Sequence, residues 1–492
     1  MPLPKPQRVL QVSAEFQPLL KTGGLADVTG ALPLALRAHG IDVRALLPGF
    51  PAILAGLKNP VEVAQFEAPW GQALRIVCGS LPSSNGGEPV MAYVVEGPGL
   101  LDRPGNPYED AQKQPYADNH RRFAALAWAA VHLTEGADTH WLPQLVHGHD
   151  WHAGLVPACL THRDSAPRIP SVFTVHNLAY QGLFDASNFG DLGLPPQAFQ
   201  PEGIEYWGQI SFMKAGLHYA DRITTVSPTY AREIQTSEYG CGLDGLLRHR
   251  HADLSGILNG VDDAIWNPAT DPHLPFTFSA QKLKNKDRCK AALQKEMGLD
   301  VEPNACLFTV VSRLTEQKGL PLVLEAIDSL VDQGGQLMVL GNGDADLEAA
   351  FLAKAEQHAG RVAVRIGFDE AFSHRVFGGS DITLVPSRFE PCGLTQLYAL
   401  KYGSLPLVRR VGGLADSVID TDLITLADHR ATGIVFDRMD LGEFQHALAR
   451  ALALYRRPND WAQVQLTGMR QSFSWDTAAQ QYAHLYQSLL SR

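Results

Sequence analysis

Lys21-Thr22-Gly23-Gly24-Leu25-Ala26-Asp27 stands between a Val- and Leu-rich run, Val9–Ser13, and a helical pattern, Leu25–His39. The pentapeptide Gly-Gly-Leu-Ala-Asp returns in Arg409-Arg410-Val411-Gly412-Gly413-Leu414-Ala415-Asp416, again behind basic residues and ahead of an apolar, helix-like stretch. A glycine pair lets a backbone approach a ligand closely, and a helix start behind it favours negative charge. Each loop therefore suits a phosphate, and one in each half suggests two related lobes meeting at a shared ligand. A pair of tight turns before helices would read the same way, because a Gly-rich motif takes its meaning from its surroundings.

Working outward from the first copy, short apolar runs alternate with longer helical patterns. Leu145–His149 reads as a strand and Trp151–Thr161 as a helix; Ser171–His176, Phe212–Ala220 and Ile223–Ser227 continue the alternation. Between Val61 and Val95 three runs alternate apolar with polar residues and read as antiparallel strands appended to this half. The rhythm restarts with the strand Cys306–Ser312 and the helix Leu320–Leu330. It goes on through Gln336–Leu340, Asp344–His358, Val362–Ile366, Ile382–Pro386 and Leu394–Tyr402. Such βαβ alternation predicts parallel sheets covered by helices. The expected division is 1–258 and 259–471, with Asn259–Lys286 as the crossover and a last amphipathic segment, 472–492, packing back on the first domain. Two doubly wound α/β domains place a ligand at the carboxyl ends of their strands, in a central cleft that both domains face.

A chain of 492 residues exceeds one core. With 45% hydrophobic and 19% charged residues it is globular rather than disordered. Its net charge of -11, from 41 basic and 52 acidic residues, gives no electrostatic reason to bind nucleic acid or an anionic membrane. The six cysteines are scattered without a C-x-x-C pair, which argues against a disulfide framework or zinc ribbon and fits a reducing compartment. No signal-peptide core and no run of membrane-spanning length is present, so a cytoplasmic location is expected.

The residues able to carry chemistry follow predicted strands. Arg313 and Lys318 bracket a turn and can clamp a diphosphate from two sides, stabilising charge on a leaving phosphate; a solvated turn is the bland alternative. Glu390, before Pro391 at a strand end, suits stabilisation of positive charge on a sugar ring, or complements a helix dipole. The backbone N–H groups of Leu394 and Thr395 open the next helix. His176 beside Asn177 suits sugar hydroxyls or a hydrogen-bonded core position. His147-Gly148-His149-Asp150-Trp151-His152 has the look of a zinc site, yet Asp150 also reads as a helix cap and, beside Trp151, as a sugar contact. Asp344-Ala345-Asp346 reads as a helix start rather than a metal motif.

Together these segments resemble the bacterial glycogen synthase and plant starch synthase family over nearly the whole chain. The resemblance rests on 21–27, His-Asp-Trp-His at 149–152, Thr-Val-His-Asn-Leu-Ala-Tyr-Gln-Gly at 174–182 and Asn-Gly-Val-Asp at 259–262. It rests equally on Ser-Arg-Leu-Thr-Glu-Gln-Lys-Gly at 312–319 and Pro-Ser-Arg-Phe-Glu-Pro-Cys-Gly-Leu-Thr-Gln at 386–396. It implies a GT-B fold of two Rossmann-like domains. The implied reaction moves glucose from ADP-glucose to the non-reducing end of an α-1,4-glucan such as glycogen, with retention and without metal or other cofactor. It further implies that Lys21, Gly24, Arg313, Lys318, Leu394 and Thr395 hold the diphosphate, with Phe368 against the adenine. Glu390, His176 and Asp150 would form the catalytic set, and Glu15, Asp27, Trp151, Asn177 and Asn259 the sugar and acceptor side. A wider pattern of such retaining enzymes has a second glutamate eight positions after the first; here that position is Tyr398, which leaves the ribose contact unassigned. The alternatives are a retaining transferase using UDP-glucose or a small acceptor, a zinc hydrolase on His147, His149, Asp150 and His152, and a non-catalytic glucan binder.

Overall fold

The computed structural model describes residues 7–84, 86–163 and 168–491. The chain divides into two compact units, 1–260 with 475–492, and 261–474.

Among the described residues the large sheet of the first unit has nine strands: β1 (Gln7–Val12), β2 (Ile41–Pro48), β3 (Lys58–Glu67), β4 (Ala73–Leu81), β5 (Val90–Glu96), β6 (Leu145–His149) and β7 (Ser171–Val175), with two more further along. A small antiparallel sheet of β8 (Leu183–Asp185), β9 (Glu205–Tyr206) and β10 (Gln209–Ser211) interrupts the series before β11 (Arg222–Thr225) and β12 (Leu254–Gly256) complete it. The large sheet runs β12-β11-β7-β6-β1-β2-β5-β4-β3. Its pairings are parallel from β12 to β5; β4 pairs antiparallel with both β5 and β3, as the alternation between Val61 and Val95 predicts. The central strands β6 and β7 are buried along their whole length, as strands covered on both faces must be. The last helix, Trp475–Leu490, buries Trp475, Tyr482, Tyr486 and Leu489 against Val28, Leu32 and Leu36 of the helix Gly24–Arg37 and against Val9 and Leu145.

The second unit holds β13 (Leu307–Val311), β14 (Gln336–Gly341), β15 (Val362–Ile366), β16 (Ile382–Val385), β17 (Leu405–Arg409) and β18 (Ile434–Phe436), all parallel, in the order β15-β14-β13-β16-β17-β18. Numbered within the unit this is 3-2-1-4-5-6, the doubly wound order whose ligands lie where the winding reverses. Here the reversal falls between β13 and β16. In the first unit it falls between β1 and β6. The loops leaving these four strands carry most of the residues singled out in the sequence.

Candidate functional site

In the first unit the loop after β1 is organised by Glu15. This carboxylate is 2% exposed. Its Oε2 accepts the backbone N–H of Thr22 at 2.8 Å, and its Oε1 accepts the hydroxyls of Thr22 and Tyr108. Glu15 thereby holds the chain that presents Lys21, Gly23 and Gly24. Nζ of Lys21 lies 2.8 Å from Oδ1 of Asp27, one turn into the helix that Gly24 opens. Gly23 is exposed and extended, and a Cβ built there meets nothing within 4 Å. Gly23 therefore faces open space, and Gly24 beside it is exposed.

The loop after β6 begins with Asp150, whose φ of +57° turns the chain sharply. It is only 7% exposed, and no side-chain cap bond forms on the turn Trp151–Ala153. The capping role expected from sequence is thus not what Asp150 performs. Its Oδ1 reaches across to the loop after β7 and accepts the backbone N–H groups of His176 (2.8 Å) and Asn177 (3.3 Å). Burial pushes the Asp150 carboxyl up to about 7, with those two N–H groups opposing and nearby Glu15 assisting. Trp151 is half-buried, edge-on to Phe123 at 4.8 Å and close over Gly182, where a Cβ would come within 2.3 Å of the indole. Asn177 uses Oδ1 to accept the N–H of Ala179. Asn259 is 5% exposed, and its Oδ1 is buried without a hydrogen-bond partner among the described residues.

The histidines do not converge as a zinc site would require. Both nitrogens of His147 are engaged, Nδ1 with Tyr486 Oη at 2.7 Å and Nε2 with Thr174 Oγ1 at 2.6 Å. His149 Nδ1 faces His176 Nε2 at 3.0 Å, and His152 stacks on Tyr108. Among the described residues no group of three or more His, Cys, Asp or Glu side chains is placed to hold a metal ion. Burial depresses the protonation of all four: His147, His152 and His176 to about 3, and His149 well below the ordinary value, with neighbouring histidines adding to the effect on His147, His149 and His152.

In the second unit the loops after β13 and β16 are strapped together. Glu390 is 6% exposed; its Oε2 accepts from Lys318 Nζ at 2.6 Å and Ser387 Oγ at 2.8 Å. The backbone N–H of Arg388 donates to Gln317 O at 2.8 Å. Gly319, at φ +70°, is the only residue type that fits there, since a Cβ would lie 2.0 Å from Pro386 O. Arg313 is exposed on the same loop. Leu394 precedes the helix Thr395–Lys401, and Thr395 Oγ1 donates to Val311 O at the end of β13. Phe368, just past β15, is 72% exposed.

The second glycine pair has different surroundings from the first. Gly412 and Gly413 are buried against the chain of Glu390 itself: a Cβ on Gly412 would lie 1.9 Å from Glu390 O, and one on Gly413 2.0 Å from Cys392 O. The N–H of Gly413 donates to the carbonyls of Glu390 and Pro391, each at 3.1 Å. This copy packs against the chain of Glu390 and buttresses it from behind.

Tyr398 stacks on Trp266 at 3.7 Å, and Trp266 stacks on His374 at 3.9 Å. His374 Nδ1 in turn meets Asp271 Oδ2 at 2.6 Å. The position eight after Glu390 is thus packing, not a carboxylate contact. Asp344 caps the helix Ala345–Gln357 through the N–H groups of Asp346 and Leu347, as expected. Tyr108 and Trp266 escaped the sequence reading because they lie in irregular segments with no periodicity to mark them, and Ser387 was read only as part of the motif at 386–396.

Residues 8–249 match the family described as starch synthase catalytic domain, and residues 294–464 that of glycosyl transferases group 1. The chain is 58% identical to a glycogen synthase of Variovorax paradoxus over 489 residues, covering 98% of this chain and 99% of that one. It is 55% identical to a glycogen synthase of Serratia proteamaculans over 484 residues, 98% and 100% of the two chains. The chain belongs to the glycogen synthase family. The catalytic domain of starch synthase IV from Arabidopsis thaliana, solved bound to ADP and acarbose, aligns with a TM-score of 0.89 at 32% identity, covering 99% of this chain and 100% of that one. Sucrose-phosphate synthase from Thermosynechococcus elongatus, at 17% identity and a TM-score of 0.61 over 99% of each chain, shares the fold. The fold is GT-B and the activity of this glycogen synthase family member is glucosyl transfer. Among the described residues no helix is long and apolar enough to cross a membrane.

Proposed function

We propose that the chain transfers glucose from ADP-glucose to the 4-hydroxyl at the non-reducing end of an α-1,4-glucan, with retention of configuration. The observation that carries this reading is the buried carboxylate of Glu390, held by Lys318 and Ser387 at the winding reversal of the second unit, with Arg313 exposed on the adjoining loop. The ADP and acarbose bound to starch synthase IV support a nucleoside diphosphate and an α-glucan as ligands.

In this reading the second unit takes the nucleotide sugar. Arg313 and Lys318 neutralise charge on the departing ADP, with the helix start at Leu394 and Thr395 donating N–H groups; Phe368 stacks on the adenine. Glu390 stabilises the oxocarbenium-like transition state. The first unit takes the acceptor and adds Lys21, with Gly24 allowing close approach of the diphosphate. His176 contacts the transferred glucose, Asp150 positions the loop that carries it, and Asn177, Trp151, Asp27 and Asn259 belong to the sugar side. Glu15 acts through its hold on Thr22 and Tyr108. The reaction needs no metal, because the cationic side chains meet the leaving charge. Front-face attack, with the leaving phosphate accepting the acceptor proton, requires no protein nucleophile. The setting of such an enzyme is the cytoplasm.

Side-by-side radiolabel transfer from ADP-glucose and UDP-glucose onto glycogen tests the reading. Incorporation from ADP-glucose into α-1,4 linkages is expected. Transfer from UDP-glucose alone, or to glucose 6-phosphate and not glycogen, would overturn it.

A further inference from the structure

His149 ends β6 with no exposure to solvent, and His176 follows β7 half-buried. The two rings meet through His149 Nδ1 and His176 Nε2 at 3.0 Å. The other nitrogen of His149, Nε2, is buried without a hydrogen-bond partner among the described residues. His176 Nδ1 makes no hydrogen bond among the described residues, while the backbone N–H of His176 is tied to Asp150. The ring of His149 is itself set in place by His147, whose ring centroid is 4.1 Å away and whose two nitrogens are anchored by Tyr486 and Thr174. Burial keeps both partner rings neutral, so each carries one N–H and one bare nitrogen.

One proton lies between the two rings, and its location fixes both tautomers. If His176 Nε2 held it, His149 would carry its own proton on Nε2, a donor buried with nothing to accept it. If His149 Nδ1 holds it, the unmet group is a bare nitrogen instead. Among buried backbone groups orphan donors are rarer than under-satisfied acceptors; by the same preference His149 is the donor and His176 keeps its proton on Nδ1.

We infer that His149 is a positioning residue: its Nδ1–H donates to His176 Nε2, locks the His176 ring, and obliges His176 to present an N–H, not a lone pair, from Nδ1 to the substrate. This rests on the glucosyl-transfer reading of His176. It makes His176 a hydrogen-bond donor to a sugar oxygen and removes it as a base for the acceptor hydroxyl. The acceptor proton then leaves by another route, which in the proposed front-face attack is the leaving phosphate.

Two measurements test the inference. Long-range nitrogen–proton NMR on full-length protein labelled at histidine, with His176 assigned by comparison with His176→Asn, reads the tautomer directly. A proton on His176 Nδ1 is expected; a proton on Nε2 would overturn the assignment. Kinetics of His149→Phe, which keeps a ring but no donor, should show kcat lowered about 10–100-fold, the scale found when the orienting partner of a metal-ligating histidine is removed. KM for ADP-glucose should hold steady. His149→Asn, whose amide donates from nearly the same place, should recover most of the loss; wild-type kcat in His149→Phe, or no recovery in a folded His149→Asn, would refute the role. The tautomer is read without substrate, so a failed transfer assay and a wrong tautomer are separable results.

Discussion

Nζ of Lys318 lies 2.6 Å from Oε2 of Glu390, so the cation proposed to meet the leaving phosphate is the partner of the carboxylate proposed to face the sugar. The pair couples two roles that single substitutions should separate.

Glu390→Ala removes the transition-state carboxylate and releases Lys318 toward the diphosphate. We expect kcat to fall by about 10²–10³-fold, the scale of one pre-placed electrostatic group. ADP should bind as tightly as before or more tightly by calorimetry. Near-normal turnover would remove Glu390 from the mechanism.

Lys318→Ala acts on both. Donor affinity and kcat should drop together. Leaving the buried Glu390 without its charged donor should also cost about 1–3 kcal/mol of stability in urea unfolding. A variant with normal stability and normal ADP affinity would contradict the geometry.

The repeated pentapeptide should respond differently in its two copies. At Gly412 a Cβ collides with Glu390 O at 1.9 Å and φ is +43°, so Gly412→Ala should destabilise the protein and lower kcat through Glu390. At Gly23 a Cβ meets nothing within 4 Å, so Gly23→Ala should stay within about 0.5 kcal/mol of wild-type stability. Its effect should appear in KM for the donor. Equal thermal shifts in the two variants would refute the distinction.

Phe368→Ala tests the exposed ring. With 72% exposure it contributes little to the core. Stability should be unchanged while KM for the donor rises about 2–10-fold, the worth of one aromatic stack. Phe368→Tyr should be close to wild type. An unchanged KM in the alanine variant would detach Phe368 from the nucleotide.

Acid should destabilise the first unit. His147, His149, His152 and His176 have folded values held well below those of the unfolded chain, so below about pH 6.5 the unfolded state binds more protons. Their contribution is present above that pH and is lost as pH falls toward 3. Asp150, raised to about 7, works the other way: the folded state holds its proton between about pH 4 and 7, and its contribution declines as pH rises through that range. Four groups oppose one, each worth up to about 1.4 kcal/mol per pH unit. Unfolding free energy should therefore fall on acidification from pH 6.5 to 4, and Asp150→Asn should make that fall steeper. A flat or rising profile would show the histidines not to be buried neutral.

The strands, the doubly wound class and the positions of the chemistry-bearing residues were legible in the chain because parallel strands buried on both faces are continuous apolar runs and their ligand loops follow at once. Leu145–His149 and Val362–Ile366 were readable to the residue. The short strands β8, β9, β10 and β12 were not, since two or three residues carry no period. Nor could local sequence tell that Gly-Gly-Leu-Ala-Asp opens to solvent at 23–24 and packs on the Glu390 chain at 412–413, because a glycine pair permits close approach without naming what approaches. That choice, like the pairing of Lys318 with Glu390 across 72 residues and of His149 with His176 across 27, is made by which strands lie side by side. Apolar periodicity wrote the scaffold into the sequence; the direction each polar group faces was decided by the three-dimensional neighbours that satisfy its hydrogen bonds.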